Sequence, residues 1–548
     1  MLSRRAAWTL TGLAFAVLAA YVVYPSLATF ALGLRAEPLE RLFGGGMDAA
    51  GWRGLLNSVL VSLGTVVLGG ALGVGVAYGT FRFDFPFRQT LAALAPLPLA
   101  LPPLVGVLAF VFLYGESGML PRGLQQAFGL KDVPFALSGV VGVLTVHVYA
   151  FYVYAYLFAR AALASLDRSL LDASADLGAS EWATLRHVVL PALKPALVGA
   201  SLLAFMLSMA SFTAPLLFAG DEPFLTTQIY QYKLSGRLAE AAAVGAVLTG
   251  ICLLFLVLLE VGPGGGTLAA GQKGGGRGVR LRPGPMGRAL LGALAAVVLL
   301  FVGLPVLTVV LLSFVEDGTW TVQAVPDTFT LANYGALVSD ADVVRPILNS
   351  LWMAALATAA NVAFGVATAV AIARGGVPGA GVLRGLALLP FAIPGTVIAL
   401  NLIVAFDTPS ALAGGAVLVG TAALLPLAYF VRHIPLIVRS TMAALEGYDD
   451  RLTEASLDLG AGRAGTFRRV VLPVLLPGIV AGGLLTLVAA LGEFVASILL
   501  YTVGNRPISV ELFAQLRQYD LGAAAAYGVV LMALVGAATA VAGRLGRA

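Results

Sequence analysis

Side chains that could act as nucleophiles, acid–base catalysts or metal ligands are few and scattered along this sequence. Cys252 is the only cysteine, so no disulfide can form within the chain. The glycine-rich stretch 266–271 resembles the start of a phosphate-binding loop, but Gln272 and Lys273 follow where Lys and then Ser or Thr are required. The histidines, which offer no metal-ligand spacing, are His147, His187 and His433. The sequence therefore predicts no catalytic residue, no metal ligand and no nucleotide site, and a chain that is not an enzyme.

The composition places the chain in a lipid bilayer. Of its 548 residues, 59% are hydrophobic and only 11% are charged, whereas soluble domains contain about 25% charged residues. Apolar runs long enough to span a bilayer, which takes about 20 residues, recur along the chain. We therefore predict an all-α polytopic membrane protein of about twelve transmembrane helices. The predicted helices are residues 7–34, 55–80, 91–114, 136–163, 196–219, 239–261, 289–314, 346–373, 382–406, 411–438, 477–500 and 521–545.

One acidic residue, Glu493, lies inside a predicted membrane helix. An ionisable group at that depth is costly and marks a functional site by default. Its counterpart in the internal repeat described below is Ser211. Two interpretations stay open: Glu493 and Ser211 are polar points on a path through the membrane, or Glu493 is a structural carboxylate paired with a neighbouring helix.

Two predicted helices carry prolines at matching places. Pro98 and Pro102 in the third helix correspond to Pro390 and Pro394 in the ninth, each pair 292 residues apart. Proline removes a backbone hydrogen bond and kinks a helix, and the freed carbonyls are tolerated at membrane depth where they face protein or a wet cavity. A kinked helix that lines a translocation path in each half is one prediction, and a kink that only shapes the packing is the alternative.

One stretch of sequence occurs twice, 282 residues apart. Both copies read acid-Ala-Ser, three residues, Gly, nine residues, Val, one residue, Leu-Pro, with no internal gap. This match indicates a duplicated unit, with residues 1–262 as the first half, 263–288 as a basic glycine-rich linker and 289–548 as the second half. The positions of interest are Asp172, Ala173, Ser174, Gly178, Leu190 and Pro191 in the first copy and Glu454, Ala455, Ser456, Gly460, Leu472 and Pro473 in the second.

Each residue type in the repeated stretch has a local role. The small alanine and serine let a helix seat closely against a protein surface, and the glycine permits a turn that a side chain would strain. Asp172 and Glu454 are predicted near a helix start, where the helix dipole favours a carboxylate. The Leu-Pro pairs at 190–191 and 472–473 are predicted to end the element before the next membrane helix.

The placement of lysine and arginine predicts the orientation. With both termini in the cytoplasm, most of the 33 basic residues lie on the cytoplasmic side, including those of the linker. The net charge of +5 is then an anchor at the inner membrane surface. No basic patch on a soluble face indicates nucleic-acid binding.

The repeated stretch resembles the cytoplasmic "EAA" loop of ATP-binding-cassette (ABC) importer permeases. Two six-helix halves in one chain, each with such a loop, look like the fused permeases of the ferric-ion and thiamine group, with the type I importer permease fold. The departures are small, because Asp172 stands where the family has Glu, and Ser174 and Ser456 stand where it has a second Ala. The resemblance implies that the twelve repeated positions couple the chain to an ATPase.

The resemblance also implies partners. Two copies of a separate ATPase subunit would bind at the loops and hold ATP and Mg²⁺, so no cofactor is expected in this chain. A periplasmic or lipid-anchored binding protein would deliver substrate to a permease in the bacterial cytoplasmic (inner) membrane. Ferric ion is the first choice of substrate, while thiamine, a phosphonate or phosphorylated sugar, and a polyamine stay open. The alternative from another class is a carrier driven by an ion gradient, since such carriers also use repeats and broken helices.

Overall fold

The computed structural model describes residues 4–261, 280–320, 323–374 and 376–545. Within these ranges the chain is almost entirely helical, with isolated β-bridges and no strand. Ten of the described helices are long and apolar enough to cross a membrane, or up to eleven if one bent pair is counted as a single span. The predicted all-α, polytopic membrane class is confirmed.

Twelve principal helices of the described chain follow the repeat, six in each half. The first six are α1 (Ala7–Gly33), α2 (Ala50–Arg82), α3 (Pro103–Tyr114), α4 (Gly139–Ala164), α5 (Glu181–Met209) and α6 (Leu238–Val261). The second six are α7 (Pro285–Leu312), α8 (Ala341–Arg374), α9 (Ala380–Ala392 with Gly395–Phe406), α10 (Leu424–Glu446), α11 (Arg463–Leu491) and α12 (Leu521–Leu545). Shorter helices are Ala36–Phe43, Arg88–Leu94, Leu97–Ala100, Met119–Phe128, Arg168–Asp176, Thr213–Phe218, Leu225–Leu234, Ala332–Ser339, Ala411–Ala413, Arg451–Asp458, Ser497–Leu500, Val503–Asn505 and Ile508–Arg517.

We predict about twelve spans, one more than the number of sufficiently apolar helices among the described residues when the bent pair counts as one span. The difference is α10, which is long enough to span a membrane but is not apolar enough to be counted. This helix carries Arg432, His433 and Arg439, which lower its hydropathy, yet it packs on α8 and α11 as α4 packs on α2 and α5. Its predicted start at residue 411 is wrong. The short helix Ala411–Ala413 is followed by a loop over residues 414–423, in which three glycines adopt positive φ.

Prolines break the third and ninth helices, as predicted. The predicted helix 91–114 is divided into Arg88–Leu94, Leu97–Ala100 and α3, and the two segments of α9 are bent by 108°. Pro102 and Pro394 each stand immediately before the segment that continues the helix. Proline donates no backbone hydrogen bond, which favours a break at these two positions. Pro390, in contrast, lies within the first segment of α9.

The two halves interlock through their first helices. α1 packs against α6 of its own half and α9 of the other, and α7 packs against α12 and α3 in the same manner. One cluster of buried hydrophobic residues accordingly runs through both halves. The halves predicted from the repeat therefore share the largest of three buried hydrophobic clusters.

In each half, the second and fourth helices cross at a glycine of the second helix. Gly73 of α2 lies so close to α4 that a Cβ there would be 2.4 Å from the carbonyl oxygen of Tyr152. At the equivalent position of α8, a Cβ on Gly365 would be 2.2 Å from Cγ2 of Ile437 in α10. Small residues let membrane helices approach this closely.

The predicted linker falls largely outside the described residues, which omit 262–279. Its end is held by Leu281, whose N–H donates to the carbonyl of Arg82 and whose carbonyl accepts from the N–H of Asp84, both at 3.0 Å. The linker end therefore lies beside the end of α2. The division of the chain at residues 263–288 stays a prediction.

Candidate functional site

Each copy of the repeated stretch forms a short helix, a turn and the start of a long helix. The short helices Arg168–Asp176 and Arg451–Asp458 lead into α5 and α11. Gly178 and Gly460 follow the short helices with φ values of 71° and 85°, the left-handed conformation that closes many helix C-termini. Both glycines thus make the turn expected of them. Because the sequence resemblance predicts that these two segments couple the chain to an ATPase, we call them the coupling loops.

A pair of hydroxyl groups braces each coupling loop. The Oγ atom of Ser174 lies 2.8 Å from Oγ1 of Thr184, and Oγ of Ser456 lies 3.0 Å from Oγ1 of Thr466. These bonds join the short helix to the start of the long one, which accounts for serine at the place where the family has alanine. The threonines were missed from the sequence, although they are also 282 residues apart.

Replacing Ser174 by alanine is expected to loosen the first coupling loop. The change leaves Oγ1 of Thr184, a residue only 2% exposed, without its partner, which costs about 1 kcal/mol. Hydrogen exchange of the full chain in detergent should show faster exchange over residues 172–184. The control is Ala173→Ser on the exposed face of the same helix, which should exchange like the parent, and equal protection in S174A would contradict the bracing role.

Asp172 and Glu454 lie at different positions along their short helices. Glu454 is in the first turn of its helix, as predicted. Asp172 is not, because its helix begins at Arg168, with Asp167 capping it by accepting from the N–H of Ser169 at 3.0 Å. The prediction that Asp172 lies at a helix start is therefore wrong, although both carboxylates are exposed at the surface of their loops.

The Leu-Pro pairs do not end an element, contrary to the prediction. Leu190 and Pro191 lie within α5, and Leu472 and Pro473 lie within α11. Each pair follows one wide π-helical turn, in which the N–H of the leucine donates to the carbonyl five residues earlier. The π-turn gives the proline ring room without ending the helix, so each coupling loop continues directly into a membrane helix.

Arg82 and Arg374, which are equivalent in the repeat, bind acidic residues at different positions of the two coupling loops. Arg82, the last residue of α2, forms an ion pair with Glu181 at 2.8 Å, and Tyr78 donates to the same carboxylate at 3.1 Å. Arg374, the last residue of α8, instead pairs with Asp450 and donates to a backbone carbonyl of α10. The second membrane helix of each half is thereby tied to the loop of that half.

A central cavity of about 420 Å³ lies between the halves. It brings together four of the predicted path residues, Pro98, Pro102, Ser211 and Glu493. The two other predicted path residues, Pro390 and Pro394, are not among the described residues that line it. The break before α3 therefore faces this cavity, and a path-lining role of Pro390 and Pro394 stays a prediction.

Glu493 both faces the cavity and pairs with a neighbouring helix, so the two interpretations of it are not exclusive. One carboxylate oxygen lies 2.9 Å from Nε of Arg432 on α10, and the other accepts from the N–H of Ala496 at 2.9 Å. Its counterpart Ser211 bonds through Oγ to Nε2 of His147 at 2.9 Å. Sequence reasoning missed Arg432 and His147 as partners, because nothing in the sequence shows which faces of α4 and α10 meet α5 and α11.

Two equivalent aromatic rings meet at the boundary of the central cavity. The ring centroids of Phe212 and Phe494, which directly follow Ser211 and Glu493, are 6.1 Å apart, and both rings line the cavity. Phe212 also contacts Tyr230, and Phe494 contacts Phe513 at the equivalent place. These four residues form an aromatic cluster related by the internal repeat.

An outer cavity of about 710 Å³ lies beyond the aromatic cluster, and Phe513 lines it. It is at the ends of α3 and α7 and the start of α12, the helix ends that point away from the coupling loops. Its charged lining residues come from both halves: Glu116, Arg122, Glu316, Asp317 and Arg517. Beside it, burial and, to a lesser degree, the charge of Asp317 raise the pKa of Asp520.

Comparison with known proteins decides the family. Residues 69–261 and 361–548 match the family described as "Binding-protein-dependent transport system inner membrane component". The chain belongs to this family. The two matched segments coincide with the two structural repeats, so the predicted fused, two-half ABC importer permease is confirmed.

The chain is similar to permeases from several bacteria. It is 32% identical to the probable ABC transporter permease protein y4fN of Sinorhizobium fredii, across 84% of this chain and 81% of that protein. It is 28% identical to the ferric transport system permease protein FbpB of Actinobacillus pleuropneumoniae, across 94% and 75%. The thiamine transport system permease protein ThiP of Brucella abortus is 29% identical across 42% of this permease and 44% of its own length.

Proposed function

We propose that this permease forms the membrane path of an ATP-driven, binding-protein-dependent importer of ferric ion and couples that path to a separate ATPase. The coupling loops are the observation that supports the proposal most directly, because both halves present the same braced turn at the same end of the bundle. The similarity to a ferric permease along 94% of the chain supports iron as the cargo.

The long helices α5 and α11 are the mechanical link in this proposal. Each runs from its coupling loop to the break beside the aromatic cluster. The two copies of the ATPase would bind at the loops, hold ATP and Mg²⁺, and move the loops when they close. The Leu-Pro pairs leave α5 and α11 continuous, so each helix would move as one unit when its loop moves. This movement would reach Ser211 and Glu493 and change the contact between the rings of Phe212 and Phe494.

The cargo would cross between the halves, past Ser211 and Glu493. Among the described residues no group of three or more His, Cys, Asp or Glu side chains could hold a metal ion. Recognition of ferric ion is therefore assigned to a periplasmic or lipid-anchored binding protein, which would dock on the face that carries the outer cavity. In this arrangement the permease lies in the inner membrane with both termini in the cytoplasm, and no nucleic acid takes part.

ATP hydrolysis in lipid tests this function and its main alternative. The permease is reconstituted with its ATPase and with the binding protein empty, loaded with ferric ion or loaded with thiamine. We expect the ferric form alone to stimulate hydrolysis. Stimulation by the thiamine form alone would replace the cargo, in line with the similarity to ThiP over part of the chain. Failure of any ATPase to associate would overturn the coupling and favour a gradient-driven carrier.

A further inference from the structure

The two helix breaks that carry the central rings are held alike on the side of the outer cavity. The carbonyl of Ser211 accepts from Oγ1 of Thr226 at 2.8 Å, and the carbonyl of Glu493 accepts from Oγ of Ser509 at 2.9 Å. Thr226 and Ser509 are the second residues of the equivalent helices Leu225–Leu234 and Ile508–Arg517. These two bonds keep the two-fold symmetry of the repeat, although the carbonyl of Glu493 also accepts from Oγ of Ser497 at 2.7 Å, where the first half has Pro215.

The breaks are held differently on the side of the central cavity. The side chain of Ser211 is held by a hydrogen bond between its Oγ and Nε2 of His147, whose other ring nitrogen lies 2.8 Å from Oγ of Ser208. The side chain of Glu493, only 5% exposed, is held by the guanidinium of Arg432. Phe212 thus follows a residue held by a hydrogen bond, and Phe494 follows a residue held by an ion pair.

Two further differences between the halves make room for the ion pair. Arg432 occupies the position of Ala150 in the repeat, and Gly395 occupies the position of Pro103. A Cβ on Gly395 would lie 1.4 Å from Nη1 of Arg432, so the guanidinium fits only against a glycine backbone. Arg432 therefore packs against the second segment of α9 and, through Glu493, ties α10 to α11, whereas the alanine at position 150 cannot form such an ion pair in the first half.

We propose that Arg432 is a positioning residue that locks the barrier between the two cavities from the second half. It holds Glu493, and the neighbouring Phe494 with it, whereas Phe212 is held by hydrogen bonds alone. A buried carboxylate left without its partner is far more costly than a lost neutral hydrogen bond. Phe212 therefore moves away before Phe494. The barrier between the two cavities is fully open only when the ion pair of Arg432 and Glu493 separates. This inference rests on the proposed function only in treating the chain as a permease, and it does not depend on the cargo.

Passive leak through the permease alone tests the lock. Purified full-length permease is placed in liposomes loaded with potassium, without ATPase, binding protein or cargo, and potassium efflux is measured. We expect Arg432→Gln to raise the efflux at least about thirtyfold, and Ser211→Ala to raise it no more than about fivefold. Arg432→Glu and Glu493→Arg should each raise the potassium efflux when made alone. The double variant, which restores an ion pair with reversed charges, should show less efflux than either single variant.

A second variant keeps the test decisive if the loss of Arg432 prevents folding. Gly395→Ala keeps the charge of Arg432 but displaces its guanidinium from Glu493, so the folded variant should leak while its thermal unfolding midpoint falls less than that of Arg432→Gln. Tight liposomes with both Arg432→Gln and Gly395→Ala, or equal leak from Ser211→Ala, would overturn the inference. Because no ATPase or ferric ion is present, these outcomes are independent of whether the proposed cargo is correct.

Discussion

Replacing Gly178 and Gly460 together by valine is expected to lower binding-protein-stimulated ATP hydrolysis at least about tenfold. Both glycines have φ between 71° and 85°, where a side-chain-bearing residue costs about 1–3 kcal/mol and a β-branched one fares worst. The loop relieves that strain by changing its turn, which displaces the short helix from the start of α5 or α11. The measurement is ATP hydrolysis by the reconstituted complex with and without loaded binding protein.

The folded permease should survive these substitutions, because nothing lies within 4 Å of a Cβ built at either glycine. The matched control is Gly462→Ala, two residues further on, where the space is equally open but φ is −67°. This control should hydrolyse ATP like the parent. Replacement by asparagine, which tolerates the left-handed conformation, should give an intermediate rate, and stimulation of the valine variant within about twofold of the parent would refute the coupling role.

Replacing Gly73 by alanine is expected to destabilise the permease by about 2–3 kcal/mol. The added Cβ would lie 2.4 Å from the carbonyl oxygen of Tyr152 and 2.7 Å from the backbone nitrogen of Tyr156. Since both atoms belong to the backbone of α4, no side-chain rotation relieves the clash, and α2 must move away from α4. Thermal unfolding in detergent and the yield of monodisperse protein would both fall.

The equivalent substitution in the second half provides an internal comparison. A Cβ on Gly365 meets Cγ2 of Ile437 at 2.2 Å. Because Ile437 is buried and β-branched, its χ1 is fixed within the helix and the methyl group cannot rotate away, so G365A should cost about as much as G73A. Gly75 of α2, with nothing within 4 Å of its Cβ position, is the control, and G75A should be neutral or gain up to about 1 kcal/mol from helix propensity. Equal unfolding temperatures for G73A and G75A would show that the close approach at Gly73 is not required.

The positions at which local physics decides the conformation were predictable from the sequence. Long apolar runs indicated membrane helices, and the prolines indicated the breaks before α3 and within α9. The glycines of the repeated stretch indicated turns, because a left-handed φ strains other residues. The constant spacing of 282 residues also indicated two equivalent coupling loops and placed Ser211 opposite Glu493 in the repeat.

The Leu-Pro pairs show the limit of such local reasoning. A proline is a good indicator that a helix loses one hydrogen bond, but it does not show whether the helix ends or widens. Here the buried valines Val189 and Val471 pack into the protein, and the π-turns keep α5 and α11 continuous. The break before Phe494 has no proline after it and could not be predicted, whereas the break before Phe212 is followed by Pro215, which cannot donate to the carbonyl of Ser211.

By itself, the sequence determined the membrane class, the duplication, the turns of the coupling loops and the family. Only the tertiary structure decided which side chains meet: Ser174 with Thr184, Arg82 with Glu181, and Arg432 with Glu493. The first contact depends on how one turn folds back, and the other two depend on the rotation and spacing of helices far apart in the chain. Those quantities follow from close packing of whole helix surfaces and not from the preference of any single residue.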